Sequence, residues 1–312
     1  MSKTALLFAG QGAQTVGMGR DLCEKYPVCQ SIFASANVVL GRDLQKICFD
    51  GPEDVLTKTD NAQPGIFVMS LACLAALQAQ VADLKFAATA GLSLGEFTAL
   101  TAAGAVSFAD GLRMVQARGR FMQDACDATT GGMASIIGMD EAALADVCRE
   151  ADVDIANLNS PGQTVISGDQ AKIAIAVELA KARGAKRAIP LQVAGAYHSR
   201  LMGTAQQKVV AELAKLPMRE PRGPVVANVS GRPGTTIVEI KDLLARQVTG
   251  TVRWSESMQW LISQGFTRFI ELGPGSVLSG LMKRIDKTVE MFNVSDCATL
   301  EATVAKLQSQ NS

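Results

Sequence analysis

The sequence is poor in histidine and has no excess of positive or negative charge. Its 312 residues include one histidine, and its 30 lysine and arginine residues equal its 30 aspartate and glutamate residues. A net charge of zero leaves no basic footprint of the kind that nucleic-acid-binding proteins need. A single histidine also excludes poly-histidine metal sites, and we expect no metal. Any Ser–His or Cys–His chemistry must therefore use His198.

Paired cysteines and long apolar segments are lacking as well. The seven cysteines are odd in number, widely scattered and never spaced as C-x-x-C, so neither a disulfide framework nor a zinc site is expected. The longest near-apolar run, Gly65–Leu77, has 13 residues, which is short of a membrane span. We expect reduced thiols, no membrane partner and a cytoplasmic location. A plastid or another organelle is the alternative if a transit peptide was removed.

The composition that remains is that of a globular protein with a substantial core, at 48% apolar and 19% charged residues. Three short apolar runs, Thr4–Ala9, Phe86–Ala90 and Arg268–Leu272, each lead into glycine and then into a helix-like pattern. A strand, a glycine turn and a helix form the βα unit of a parallel sheet that helices cover. The alanine-rich segments Ser70–Val81 and Asp110–Asp127 are typical of such helices. The sequence therefore predicts an α/β fold.

The order of predicted helices and strands changes in the middle of the chain, which predicts a second, smaller domain. Patterns over residues 130–193 follow the order β-α-β-β-α-β, with a turn at Asn159–Gly162, which is the ferredoxin-like split arrangement. We interpret this segment as a small subdomain inserted into a large domain made of residues 1–129 and 194–312. The polar tail after Thr303 is expected to fray.

Gly91-Leu92-Ser93-Leu94-Gly95 matches G-x-S-x-G between a predicted strand and a predicted helix. In a nucleophile elbow the glycines allow a sharp turn that exposes the serine hydroxyl, and the next backbone N–H faces a developing oxyanion. The alternative is an ordinary glycine turn. The strand–helix context favours Ser93 as a nucleophile and the N–H of Leu94 as an oxyanion donor.

Two more residues are candidates for chemistry. His198 follows a predicted strand and Gly195, and imidazole titrates in the range that suits a base for serine. No aspartate presents itself as a third member, so a backbone carbonyl could orient the ring instead. Arg118 has apolar neighbours in a helical segment and could bind a substrate carboxylate. The alternatives are a structural histidine and a solvated helix arginine.

The loop Gly10-Gln11-Gly12 superficially suggests a dinucleotide site. It fails G-x-G-x-x-G because Thr15 stands where the third glycine belongs, and no acidic residue follows at the expected distance. A glycine loop at the carboxyl end of a parallel strand can instead supply a second N–H to an oxyanion hole.

Together these segments resemble the malonyl-CoA:acyl-carrier-protein transacylase family of type II fatty-acid synthesis. The resemblance extends from about residue 4 to residue 290, and its anchors keep the family's order and spacing. They are Phe8–Gln14, Gly91–Glu96, Arg118-Gly119, Asn157–Gly162, Gly195–Ser199, Ala245–Val248 and Glu271–Gly275.

The resemblance implies an α/β-hydrolase-like core and a role for each matching residue. Ser93 would carry the acyl group, and His198 would be its general base and then its general acid. Gln11 and Leu94 would supply the oxyanion-hole N–H groups, and Arg118 would pair with the malonyl carboxylate. The main-chain carbonyl of Gln247 would orient the histidine. Asn159 would lie near the pocket.

Two positions depart from the family pattern. Leu92 stands where many relatives have histidine, and a nucleophile with its base elsewhere tolerates that change. Tyr197 stands where malonyl-selective relatives usually have phenylalanine. Tyrosine keeps the ring that restricts the acyl pocket but adds a hydroxyl that needs a partner. Malonyl remains the expected acyl group.

The resemblance also implies the substrates and the partner. Malonyl-CoA would be the donor, the phosphopantetheine thiol of acyl carrier protein the acceptor, and no resident cofactor would be needed. Basic residues that could receive an acidic carrier form two clusters, Lys181, Arg183, Lys186 and Arg187, and Lys283, Arg284 and Lys287. We expect a monomer. The alternatives are a polyketide acyltransferase, the transacylase of malonate decarboxylation, a serine acyl hydrolase and a non-catalytic scaffold.

Overall fold

A computed structural model describes residues 3–309 and contains both helices and strands. The strands are β1 (Lys3–Phe8), β2 (Ala88–Gly91), β3 (Gly131–Ile137), β4 (Asp154–Ser160), β5 (Gln163–Asp169), β6 (Arg187–Leu191), β7 (Val225–Ala227), β8 (Arg232–Pro233), β9 (Phe266–Leu272) and β10 (Glu290–Val294). The helices are α1 (Arg20–Lys25), α2 (Pro27–Leu40), α3 (Leu44–Asp50), α4 (Glu53–Leu56), α5 (Thr59–Gln80), α6 (Gly95–Ala102), α7 (Phe108–Asp127), α8 (Glu141–Ala151), α9 (Gln170–Ala182), α10 (Gly203–Lys215), α11 (Ile237–Gln247), α12 (Trp254–Ser263), α13 (Val277–Ile285) and α14 (Cys297–Ser309), with a 3₁₀ turn at Arg200–Met202.

The chain folds into two compact units. The first comprises the described residues up to Gly119, Leu216–Val226 and those from Leu261 onward, and the second comprises Arg120–Lys215 and Ala227–Trp260. These bounds differ from the predicted division at residues 129/130 and 193/194, because α10 and α11 pack on each other and the 3₁₀ turn contacts β5. The inserted ferredoxin-like subdomain of residues 130–193 stays a prediction.

The first unit is built on a parallel sheet in which β10, β9, β1, β2 and β7 are neighbours in that order. Phe8 at the end of β1 pairs with Gly91 on one side and with Leu272 on the other. Three strands therefore end together at one edge of the sheet. The predicted α/β class is confirmed, and the loops that follow these strands share one edge, where sites in such sheets form.

Helix α5 is the core helix of the first unit. Its 22 residues are long and apolar enough to cross a membrane, but 83% of its most apolar window is buried inside the protein. The helix begins at Thr59, well before the predicted start at Ser70, because it continues through Pro64. Proline has no N–H for the Asp60 carbonyl, and Nη2 of Arg42 donates to that carbonyl instead, at 2.9 Å.

The second unit contains an antiparallel sheet with the strand order β4-β5-β3-β6. Helices α8 and α9 pack on each other, and the buried core between helices and sheet includes Leu144, Ile166 and Val177. The β-α-β-β-α-β order is the predicted one. The predicted turn is shorter than expected, because Asn159 and Ser160 belong to β4 and Gly162, at φ +71°, turns the chain.

The predicted fraying after Thr303 is wrong for the residues that the structure describes. Helix α14 continues to Ser309, with Leu300, Thr303 and Leu307 buried on one face. The Oγ1 of Thr303 donates to the Asn293 carbonyl at 2.9 Å, which ties the helix to β10. Apolar residues at helical spacing outweigh the polar composition of the segment.

Candidate active site

Ser93 lies in a strained turn between β2 and α6, at φ +55°. A left-handed conformation costs a non-glycine residue free energy and is typical of functional sites. The flanking glycines are sterically required: a Cβ at Gly91 would lie 1.9 Å from the Gly95 carbonyl oxygen, and a Cβ at Gly95 would lie 2.4 Å from the Phe8 carbonyl oxygen. The predicted sharp turn between strand and helix is therefore present, with Ser93 in it.

The elbow is fastened to the end of the neighbouring strand. The N–H of Leu92 donates to the Phe8 carbonyl at 3.1 Å, and a Cβ at Gly10 would lie 2.7 Å from the Leu92 carbonyl oxygen. The loop that carries Gln11 thus passes close to the elbow. Leu94 is fully buried and precedes the first residue of α6, so its N–H belongs to the positive end of that helix.

Arg118 is fully buried, which overturns the alternative of a solvated helix arginine. Its Nη2 donates to Ser93 Oγ at 3.0 Å, and its Nη1 donates to Gln63 Oε1 at 2.7 Å. Helix α7 comes close enough for these contacts because position 119 is glycine. A Cβ there would lie 2.7 Å from the Thr59 carbonyl oxygen at the start of α5.

Gln63 is a site residue that the sequence reasoning missed. Its side chain is 1% exposed, and its Nε2 donates to Gln11 Oε1 at 3.1 Å. One signal for it exists in the sequence: a polar amide stands just before Pro64 and the apolar run Gly65–Leu77. A polar side chain on a helix that is otherwise buried needs partners, and the two site residues Gln11 and Arg118 are among them.

His198 and Gln247 are close neighbours within the second unit. The ring is 4% exposed, and its Nδ1 lies 2.9 Å from the main-chain oxygen of Gln247, the last residue of α11. A carbonyl only accepts hydrogen bonds, so Nδ1 carries the proton and Nε2 is the basic nitrogen. The negative end of α11 also stabilises a positively charged ring. No carboxylate is needed for this orientation.

The other two predicted residues also lie in the second unit. Tyr197 is 9% exposed, and its side chain is hydrogen-bonded to the Cys126 thiol, which supplies a partner for the hydroxyl. Burial raises the pKa of Cys126 to about 11, although this hydrogen bond acts in the opposite direction. Asn159 lies in β4, and its buried Oδ1 has no hydrogen-bond partner among residues 3–309.

The structure thus brings Gln11, Ser93, Leu94 and Arg118 together in the first unit, and His198 and Gln247 together in the second. The first set offers a hydroxyl on a sharp strand–helix turn, the main-chain N–H of the next residue and a buried guanidinium. The second set offers an oriented imidazole. Within residues 3–309, no group of three or more histidine, cysteine, aspartate or glutamate side chains could hold a metal ion.

Comparison with known proteins gives one consistent result. A family profile described as acyl transferase domain matches residues 5–308. A Bacillus subtilis protein named malonyl CoA-acyl carrier protein transacylase is 43% identical and covers 100% of this chain and 99% of its own length. The Clostridium perfringens structure with the same name has a TM-score of 0.95 and 37% identity, and the match covers 99% of this chain and 98% of that one. A third structure, a malonyl-transacylase in complex with its type II PKS acyl-carrier protein, has a TM-score of 0.94 and 38% identity, over 98% of this chain and 100% of that one.

Proposed function

The chain belongs to the acyl transferase domain family, and from this premise we propose that it transfers a malonyl group from malonyl-CoA to the phosphopantetheine thiol of an acyl carrier protein. One observation carries the proposal: a buried guanidinium lies 3.0 Å from the hydroxyl of an elbow serine. An acyl group on Ser93 that bears a free carboxylate would find its counter-ion there, and malonyl is such a group.

In the first half-reaction, Ser93 Oγ attacks the thioester carbonyl while Nε2 of His198 takes the hydroxyl proton. The tetrahedral intermediate carries its negative charge on the former carbonyl oxygen, and the backbone N–H groups of Gln11 and Leu94 stabilise it. When the intermediate collapses, the carbon–sulfur bond breaks and the imidazolium returns the proton to the CoA sulfur. A malonyl ester of Ser93 remains.

The second half-reaction runs the same steps with another thiol. His198 takes the proton of the phosphopantetheine thiol, and the sulfur attacks the ester carbonyl. Collapse breaks the bond to Ser93 Oγ, and the imidazolium reprotonates the serine. Serine, histidine and main-chain donors supply the nucleophile, the base and the charge stabilisation, so we propose that no resident cofactor takes part.

Acyl carrier protein is the proposed partner, and the complex between a similar malonyl-transacylase and its carrier supports it. We also propose a monomeric, cytoplasmic enzyme. The Bacillus and Clostridium relatives are bacterial proteins, and the organellar alternative gains no support from them. A serine hydrolase is disfavoured, because a simple esterase has no use for a buried guanidinium beside its nucleophile.

The test is incubation with malonyl-CoA that carries a labelled malonyl group, with and without holo carrier protein. We expect label on Ser93 without the carrier and label on the carrier thiol when it is present. Ser93→Ala is the control and should label neither. Release of free malonate at the same rate with and without carrier would make the protein a hydrolase. Absence of labelled Ser93 and of labelled carrier would overturn the proposal.

A further inference from the structure

The Gln63 side chain connects two parts of the proposed site that the sequence treats separately. Its Oε1 accepts a hydrogen bond from Arg118 Nη1 at 2.7 Å, and its Nε2 donates to Gln11 Oε1 at 3.1 Å. Arg118 in turn donates from Nη2 to Ser93 Oγ at 3.0 Å. A continuous chain of hydrogen bonds therefore runs from the Gln11 loop to the nucleophile.

Donor and acceptor chemistry fixes the direction of this chain. Arginine has donors only, so the Gln63 atom that faces Arg118 must be the oxygen. The amide nitrogen then faces Gln11, whose side chain must present its own oxygen. Among the common side chains of this size, only an amide offers an acceptor at one end and a donor at the other. Glutamate would lack the donor, and methionine would lack both.

The surroundings hold each member of the chain in place. The Arg118 guanidinium carbon lies 5.7 Å from the ring centroid of Phe97, so an aromatic side chain stands beside the cation. The close approach of α7 to α5 at Gly119 sets the separation of Arg118 and Gln63. The Gln11 loop is fixed at its start by the Ala9 N–H, which donates to the Leu272 carbonyl at 3.3 Å.

We infer that Gln63 is a positioning residue that couples the Arg118 guanidinium to the Gln11 loop and thereby sets the preference for acyl groups with a free carboxylate. The inference rests on the proposed function. By occupying Nη1, Gln63 turns the Nη2 edge of the guanidinium toward Ser93 Oγ, where the acyl group attaches. By holding the Gln11 side chain, it also holds the backbone N–H proposed to face the oxyanion.

The test compares Gln63→Glu and Gln63→Met with the wild type in the formation of acyl-Ser93 from malonyl-CoA and from acetyl-CoA. Glutamate places a carboxylate against Arg118 and competes with the substrate carboxylate. We expect kcat/KM for malonyl to fall by roughly 100-fold, because malonyl loses a charged hydrogen bond to Arg118. The value for acetyl should fall by roughly tenfold or less, because acetyl has no carboxylate that could make this bond. Methionine should also reduce the malonyl-to-acetyl ratio.

Two further measurements separate positioning from a structural role. Gln80→Glu makes the same change at an exposed position of the same helix and should leave the ratio unchanged. In an Arg118→Ala background, Gln63→Glu should not lower the ratio further, because the guanidinium through which it acts is gone. Circular dichroism and the thermal unfolding midpoint establish that each variant is folded.

The inference is overturned if folded Gln63→Glu and Gln63→Met keep the wild-type malonyl-to-acetyl ratio, or if Gln63→Glu lowers that ratio equally in the Arg118→Ala background. Failure of the proposed function looks different, because the wild type itself would then form no malonyl-Ser93 and load no carrier.

Discussion

The main-chain carbonyl oxygen of Gln247 lies 2.9 Å from Nδ1 of His198, at the C-terminal end of α11. A backbone carbonyl thus occupies the position beside Nδ1 that a carboxylate occupies in a Ser-His-Asp triad. Carbonyl groups in the last turn of a helix accept hydrogen bonds from outside that helix, and the Gln247 carbonyl accepts one from the imidazole.

That relationship predicts different effects for the two residues. His198→Ala removes the base and should lower kcat for malonyl transfer by about 100- to 10,000-fold, as expected for loss of general acid–base catalysis. Gln247→Ala keeps the carbonyl and should lower kcat less than about tenfold. Steady-state kinetics on folded variants check both. Equal losses would mean that the Gln247 side chain, and not its backbone, matters.

Arg118→Ala should change which acyl group is transferred. A malonyl carboxylate would lose its counter-ion, whereas an acetyl group loses nothing of that kind. We expect the malonyl-to-acetyl ratio of kcat/KM to fall by roughly 10- to 100-fold, the equivalent of a hydrogen bond to a charged group. Competition assays with both CoA thioesters measure that ratio. If both substrates lose activity equally, Arg118 does not select the carboxylate.

The elbow glycines provide a prediction about stability. Gly91→Ala would force a methyl group to within 1.9 Å of the Gly95 carbonyl oxygen and should cost about 3 kcal/mol of unfolding free energy. Gly203→Ala is the matched control: Gly203 begins α10, has a helical φ of −59°, and a Cβ there would meet nothing within 4 Å. We expect the control to be neutral or to gain about 0.5 kcal/mol. Denaturant titrations would contradict this account if the two substitutions cost the same.

The cysteines should be inert in the folded protein. Burial raises the pKa of Cys23 and Cys148 to about 12 and that of Cys29 and Cys297 to about 11. Near neutral pH almost no thiolate is present, so alkylation should be at least roughly 100-fold slower than that of free cysteine. In guanidinium chloride all seven thiols should react. Mass spectrometry counts the adducts, and rapid labelling of any thiol in the native protein would refute the prediction.

The two basic clusters should differ in their effect on the carrier protein. In the first cluster, Lys181 pairs with Glu178 at 2.8 Å and Arg183 pairs with Glu150, which leaves the exposed Lys186 and Arg187 as its candidates. In the second, Lys283 and Lys287 are exposed. Lys283→Glu with Lys287→Glu should therefore raise KM for the carrier about tenfold, more at low salt, with acylation by malonyl-CoA unchanged. Lys181→Glu is the control. An unchanged KM in the double variant would exclude the second cluster.

Much of the fold could be predicted from local sequence. The apolar runs that end in glycine became β1, β2 and β9, and the serine between Gly91 and Gly95 became an elbow, because these patterns act over a few residues. The length of helix α5 is underestimated from the sequence, because Pro64 and several polar residues precede its apolar run. The helix after Thr303 is missed from the sequence, because burial of Leu307 depends on contacts with distant segments.

The sequence by itself determined which groups could react: one imidazole, one serine between glycines, and an arginine in an apolar helix segment. Only the tertiary structure decided their partners. It gave Arg118 two buried acceptors, placed the Gln247 carbonyl beside Nδ1 of His198, and put Gln63 in contact with both Arg118 and Gln11. The physical reason is that hydrogen bonds between residues 25 to 55 positions apart depend on how helices and strands pack, and a glycine at a contact such as Gly119 matters only through the backbone it lets approach.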